Sequence, residues 1–91
     1  GFYENIPRML PEGVHAVVKK NSYEVPAIFK LIAEKGDIAE QMMYNTFNMG
    51  IGMVVCVAPE YADAAVASLE KSGEKTVRLG RTVAGKGVVL R

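Results

Sequence analysis

The stretch Tyr44-Asn45-Thr46-Phe47-Asn48-Met49-Gly50-Ile51-Gly52-Met53, continuing into Val54-Val55-Cys56-Val57-Ala58, decides how the chain is read. A polar loop punctuated by glycine runs straight into an apolar segment. Over residues 51–58 both alternating sets, Ile51/Met53/Val55/Val57 and Gly52/Val54/Cys56/Ala58, lack charge and hydroxyl. A strand of that composition wants cover on both faces, so the pattern predicts a strand at the centre of a sheet. Gly50 and Gly52 at its mouth permit a bend or the close approach of another group. Asn45, Thr46 and Asn48 then stand at the end of a rigid strand, where polar side chains can be aimed at a ligand. The competing reading is a tight loop whose amides satisfy its own backbone.

Upstream, Asp37 followed by Glu40 has the form of a capping box and announces a helix through Ile38, Met42 and Met43, with the methionines as core filler. Before it, Val25, Ile28, Phe29 and Ile32 recur at i, i+3, i+4 and i+7 around Pro26, an amphipathic helix closed by Lys35-Gly36. Val14-His15-Ala16-Val17-Val18-Lys19 alternates as a strand, with Val14, Ala16 and Val18 on one face and His15 on the more polar one. His15 has no second His, Cys or carboxylate on that face and reads as a surface histidine rather than a metal ligand. At the start of the chain, apolar residues at 2, 3, 6, 9 and 10 have helical spacing. Pro7 would cost a helix interior about 3 kcal/mol, so a short or broken helical turn is expected there. Asn5 and Arg8, three apart, share one face of it.

Downstream, Pro59-Glu60 begin a helix whose stripe is Ala62, Ala65, Val66 and Leu69 and whose exposed face is Glu60, Asp63, Glu70 and Lys71, with Gly73 ending it. Residues 76–83 alternate as a strand, and Gly85-Lys86-Gly87 turns into Val88-Val89-Leu90-Arg91, which predicts a closing hairpin. Arg78 and Arg81 fall on opposite faces of that strand and read as solvated. The order is turn–β–α–α–β–α–β–β, an α/β (α+β) sandwich with a mixed sheet.

Ninety-one residues hold one domain or half-domain with a single core. Apolar residues at 49% against 23% charged exclude a disordered or fibrous chain. A net charge of +1, with both signs mixed along the chain, gives no electrostatic footprint for nucleic acid or an anionic membrane. No apolar run approaches the roughly 20 residues of a bilayer span. The single cysteine, Cys56, cannot form an internal disulfide; its place in the apolar run predicts a buried, inert thiol and a cytoplasmic setting. A helix-like segment that starts almost at Gly1 points to a chain cut from something longer.

The chemistry on offer is binding and orientation. Gly50-Ile51-Gly52 is not a dinucleotide fingerprint, because its glycines precede a strand and the third glycine is missing. Gly85-Lys86-Gly87 has no helix after it and reads as a turn. The one His and the one Cys lie in different strands, so no nucleophile–base pair is available.

Two strings go further. Glu4-Asn5-Ile6-Pro7-Arg8-Met9-Leu10-Pro11, together with Thr46-Phe47-Asn48-Met49-Gly50-Ile51-Gly52-Met53, strongly resembles aminoimidazole ribonucleotide synthetase, also called phosphoribosylformylglycinamidine cyclo-ligase, in order and separation. Pro26-Ala27-Ile28-Phe29 with the break at Gly36, and the Met43-Tyr44 lead-in, are similar too. The resemblance covers essentially the whole chain and corresponds to the closing part of that family's C-terminal domain, with a His-Ile-Thr-Gly-Gly-Gly-like run whose last glycine is Gly1. It implies an enzyme of purine biosynthesis that closes the imidazole ring of formylglycinamidine ribonucleotide. In that family ATP, bound with magnesium mainly by an N-terminal domain, phosphorylates the formyl amide oxygen; the amidine nitrogen then attacks that carbon and phosphate departs. It further implies a homodimeric parent. Carried over by position, Gly1, Asn5 and Arg8 belong to the first string, beside a helix N-terminus suited to a ribose phosphate. Thr46, Asn48, Gly50 and Gly52 belong to the second, facing the cleft between domains. Together they form the expected substrate-binding set, with no catalytic or metal-binding residue among them. The isolated chain is expected to be inactive and, as a severed half-domain, to expose an apolar flank and self-associate. The alternative is a stand-alone α/β metabolite-binding or regulatory module without catalysis.

Overall fold

The structure is a computed structural model and describes residues 1–91. Its elements are helix α1 (Phe2–Met9), strand β1 (Val14–Val18), a 3-10 turn (Lys20–Ser22), helices α2 (Ala27–Gly36) and α3 (Glu40–Thr46), a second 3-10 turn (Pro59–Tyr61), helix α4 (Ala62–Lys71), and strands β2 (Gly80–Ala84) and β3 (Val88–Leu90). The sheet is mixed and three-stranded in the order β2-β1-β3, with β1 antiparallel to β2 and parallel to β3. The α+β class expected from the sequence is the one observed.

The centre of the sheet is β1, not residues 51–58. Ala16, Val17 and Val18 are all buried because β1 has a neighbour on each edge. Residues 51–58 form no strand. No backbone hydrogen bond involves the N–H or C=O groups of residues 52–57, and Met53, Val55 and Val57 are 84%, 52% and 44% exposed. Cys56, expected to be buried, is exposed for the same reason. The composition that asks for a central strand is present, but no strand within these 91 residues lies beside it.

The closing hairpin is also corrected. β2 and β3 do not pair with each other, because β1 is inserted between them. Gly85 N–H donates to the Gly13 carbonyl at 2.9 Å and Ala16 N–H to the Gly87 carbonyl at 3.0 Å, so the 85–87 turn straddles the start of β1. The strand expected over 76–83 begins only at Gly80. His15, half-buried on β1, faces that turn, its Nδ1 lying 2.7 Å from the Lys86 carbonyl oxygen.

α2 forms where the apolar spacing placed it, but it ends on Asp37, whose φ of 51° puts it in the left-handed region. The residue read as an N-cap of the next helix is therefore the C-cap of the previous one. α3 is capped by Ala39 without a side-chain hydrogen bond. Of the methionine pair, Met43 is core and Met42 is 54% exposed; within the α2 stripe Ile28 is likewise exposed. α1 is a continuous helix of eight residues that tolerates Pro7 in its last turns, next to the end where Leu10 N–H bonds the Pro7 carbonyl at 3.2 Å. The α4 stripe Ala62, Ala65, Val66 and Leu69 is half-buried, and none of it packs on the core. Arg78 is paired with Asp63 of α4, while Arg81 is solvated.

The core joins Phe2 and Ile6 of α1, Ala16 and Val18 of β1, Met43 and Tyr44 of α3, and Met49 of the following loop. Phe2 and Tyr44 meet edge to face with ring centroids 5.3 Å apart, an arrangement worth about 0.5–1.5 kcal/mol beyond area burial. This packing sets α1 against the end of α3, and so brings together two strings separated by some forty residues.

Candidate functional site

α1 lies directly on the α3 C-terminus at Gly1. A Cβ built there would stand 2.2 Å from the Tyr44 carbonyl oxygen and 2.4 Å from that of Asn45, so only glycine fits. The Gly1 carbonyl is held by Asn5, which donates to it from its backbone N–H at 3.1 Å and from Nδ2 at 2.8 Å. The Asn5 Oδ1 remains on the outside, 3.5 Å from Nη1 of Arg8.

The loop after α3 turns by two consecutive left-handed residues, Met49 at φ 53° and Gly50 at φ 95°. Asn48 closes this turn twice: its Oδ1 accepts from Gly50 N–H at 2.8 Å, and its carbonyl accepts from Ile51 N–H at 3.0 Å. Met49 buries its side chain in the core, which anchors the loop to α1 and β1. The loop reading and the site reading of this stretch are therefore compatible, since the amide that closes the turn also stands at the surface.

Between the two strings is an open hollow of about 300 Å³ lined by Gly1, Phe2, Asn5, Ile6 and Met9 from α1 and by Asn48, Ile51, Gly52, Met53 and Val54. Of the expected site residues, Gly1, Asn5, Asn48 and Gly52 line it. Arg8 does not; it borders the hollow through Asn5. Thr46, exposed at the end of α3, and Gly50, turned toward Pro26, stand outside. The apolar part of the wall, Phe2, Ile6, Met9, Ile51, Met53 and Val54, is legible in the sequence as a helical spacing and an apolar run, but neither pattern marks it as part of a site.

The hollow has an apolar floor, two carboxamides and exposed backbone at two glycines, with one guanidinium at its margin. Such a wall can hold a polar, uncharged or anionic group by hydrogen bonds and bury an apolar portion against it. It contains no acid, base or nucleophile. Burial pushes the nearby Tyr44 phenol above its ordinary range, and Tyr23 up to about 12, so neither supplies a phenolate near neutral pH. No group of three or more His, Cys, Asp or Glu side chains is arranged to hold a metal ion, and the wall has no carboxylate. The residues of this chain thus do not fit a magnesium–ATP complex, whose cation takes oxygen ligands from carboxylates and phosphates. A second hollow of about 510 Å³ lies between Pro7, Glu12 and the 85–87 turn. It gathers no comparable set of groups. No helix is long and apolar enough to cross a membrane.

Comparison with known proteins places the chain in one family. The family model described as AIR synthase related protein, C-terminal domain, matches residues 1–91. A phosphoribosylformylglycinamidine cyclo-ligase of Lachnospira eligens is 58% identical over 91 residues, covering 99% of this chain and 27% of that protein. Enzymes of the same name from Agathobacter rectalis and Bacillus cytotoxicus are 53% and 56% identical over 91 and 90 residues, again covering 99% of this chain, and 27% and 26% of theirs. The chain spans about a quarter of the length of the curated relatives it matches. With its whole length matched by the family model, the chain belongs to the AIR synthase related protein C-terminal domain family.

Proposed function

We propose that this chain is the closing part of the C-terminal domain of an ATP-dependent phosphoribosylformylglycinamidine cyclo-ligase, a cytoplasmic, homodimeric enzyme of purine biosynthesis. In this reading the hollow between α1 and the 48–54 segment receives formylglycinamidine ribonucleotide. The observation that carries the reading is the meeting of Asn5 and Asn48 across one wall, from strings 43 positions apart in a chain whose relatives bear that name.

Ring closure joins two ends of one molecule, so holding the reactant in a folded geometry supplies much of the advantage, and effective molarities for well-placed intramolecular reactions are large. The carboxamides of Asn5 and Asn48 and the backbone at Gly1 and Gly52 are suited to that work. Arg8, at the margin, is suited to a phosphate or another anionic group. ATP and magnesium are assigned to the part of the enzyme outside these 91 residues, and the groups described here serve the nucleotide substrate.

The unpaired segment 52–57 supports the same reading over that of a stand-alone module. An exposed apolar run with unpaired backbone is an aggregation hazard that an independent domain would cover or charge. In the larger enzyme it is a sheet strand whose neighbours come from sequence outside this chain.

The test is a coupled assay on the full-length protein that follows conversion of formylglycinamidine ribonucleotide to aminoimidazole ribonucleotide with release of ADP. Substrate-dependent turnover is expected. Its absence from folded, full-length protein overturns the reading.

A further inference from the structure

The loop that carries Asn48 is held from behind by a residue that belongs to neither string. Tyr23, in the segment between the first 3-10 turn and α2, donates its hydroxyl to the Met49 carbonyl at 2.8 Å in a part-buried setting. Three residues on, Pro26 lies against Gly50: a Cβ on Gly50 would stand 2.6 Å from Pro26 Cδ, and Tyr23 Cε2 is the next residue's atom at 3.8 Å. Tyr23 and Pro26 thus form a seat for the two left-handed residues. The Met49 side chain pulls the loop toward the core, and the Tyr23 hydroxyl fixes the orientation of the peptide between Met49 and Gly50. That peptide's other end is the Gly50 N–H, which donates to Asn48 Oδ1. A continuous chain of hydrogen bonds therefore runs from the Tyr23 hydroxyl through one peptide group to the Asn48 carboxamide in the wall of the hollow.

We propose that Tyr23 is a positioning residue for the nucleotide substrate: by clamping the 49–50 peptide it sets the rotamer of Asn48. The assignment rests on the reading of the hollow as the substrate site. Tyr23 lies outside the hollow and is not part of its wall. Its phenol keeps its proton over the physiological range, burial having raised its pKa to about 12, so the donor is always present. Without the clamp the peptide can rotate, the Gly50 N–H leaves Asn48, and the carboxamide samples other rotamers before it can meet substrate.

The test is steady-state kinetics of the full-length enzyme with Tyr23→Phe, Asn48→Ala and the double variant. Y23F removes only the hydroxyl and keeps the ring packed. Y23F is expected to raise KM for formylglycinamidine ribonucleotide about fivefold, with kcat within about twofold and KM for ATP unchanged. The double variant is expected to match Asn48→Ala alone, because Tyr23 acts through Asn48. If Asn48→Ala raises KM and Y23F leaves it unchanged, or if the two effects multiply, the role of Tyr23 is overturned while the site stands. If Asn48→Ala itself changes nothing, the site reading fails and the proposal with it. A Y23F enzyme that is insoluble, or in which kcat falls and the melting temperature drops with KM unmoved, assigns Tyr23 to the core alone and overturns the proposal.

Discussion

Gly1 lies so close to the carbonyl oxygen of Tyr44 that no β-carbon fits between them, which sets the first residue of one string against the end of the helix feeding the other. No side chain mediates this contact, which sets α1 against the end of α3. In the full-length enzyme Gly1→Ala should force α1 away from α3, at an overpacking cost of about 1–3 kcal/mol. The expected result is a lower melting temperature together with a raised KM for the nucleotide substrate. An alanine variant with unaltered melting and kinetics would show that the two elements are not in register as described.

Tyr23 makes a prediction in alkaline solution. Its folded-state pKa of about 12 lies above the ordinary value of 10.0, first because of burial and second because of the neighbouring Tyr44 phenol. Between these values the unfolded chain has lost the proton and the folded chain keeps it, so the folded state binds more protons and stability falls as pH rises. The contribution is fully present below pH 10 and is lost as pH rises toward 12. Urea unfolding of the wild type and Y23F across that window should show the gap between them closing with increasing pH. A constant gap would mean that the hydroxyl is not shielded.

The unpaired segment yields an opposite pair of outcomes. In the 91-residue chain Val55 is half exposed, and Val55→Lys should alter stability by less than about 0.5 kcal/mol, as surface changes do. In the full-length enzyme the same lysine would enter a sheet covered on both faces and should cost several-fold more, the range for an unpaired buried charge being roughly 3–5 kcal/mol. Hydrogen exchange is the companion measurement, with fast amides over 52–57 in the short chain and protected ones in the whole enzyme. Size-exclusion chromatography of the short chain should show self-association. Equal exchange in both would remove the argument that outside strands complete the sheet.

The 91-residue chain should neither hydrolyse ATP nor close the ring, because its hollow has no acid, base or carboxylate. A radiometric ATPase assay on pure material checks this. Turnover proportional to protein concentration would contradict it.

Local pattern was enough wherever the determinant is local. The α4 stripe, α2 and β1 follow from apolar spacing that needs no distant partner. The joint position of Asn5 and Asn48 was legible only through the resemblance, since no periodicity relates residues so far apart. What failed has a common cause. Residues 51–58 and the 80–90 strands were assigned partners from composition or adjacency, and strand pairing is decided by what else is present. β1 displaces the expected hairpin by pairing with both arms, while 52–57 has no hydrogen-bonded strand beside it. The Asp37 error is smaller and of another kind: Asp suits a helix N-cap and a left-handed C-cap alike, and with Gly36 still helical the chain takes the second use. Tyr23 was invisible because a lone tyrosine in a loop has no pattern to break.

Substrate affinity reports whether the two strings hold one molecule. Isothermal titration of formylglycinamidine ribonucleotide into the full-length enzyme, with Asn48→Ala and Arg8→Ala beside the wild type, measures this without chemistry. Each variant should weaken binding by about tenfold, about 1.4 kcal/mol, as expected for a lost hydrogen bond to a polar or charged group. Wild-type affinity in both variants, with the fold intact, would contradict the claim that this hollow is where the substrate lies.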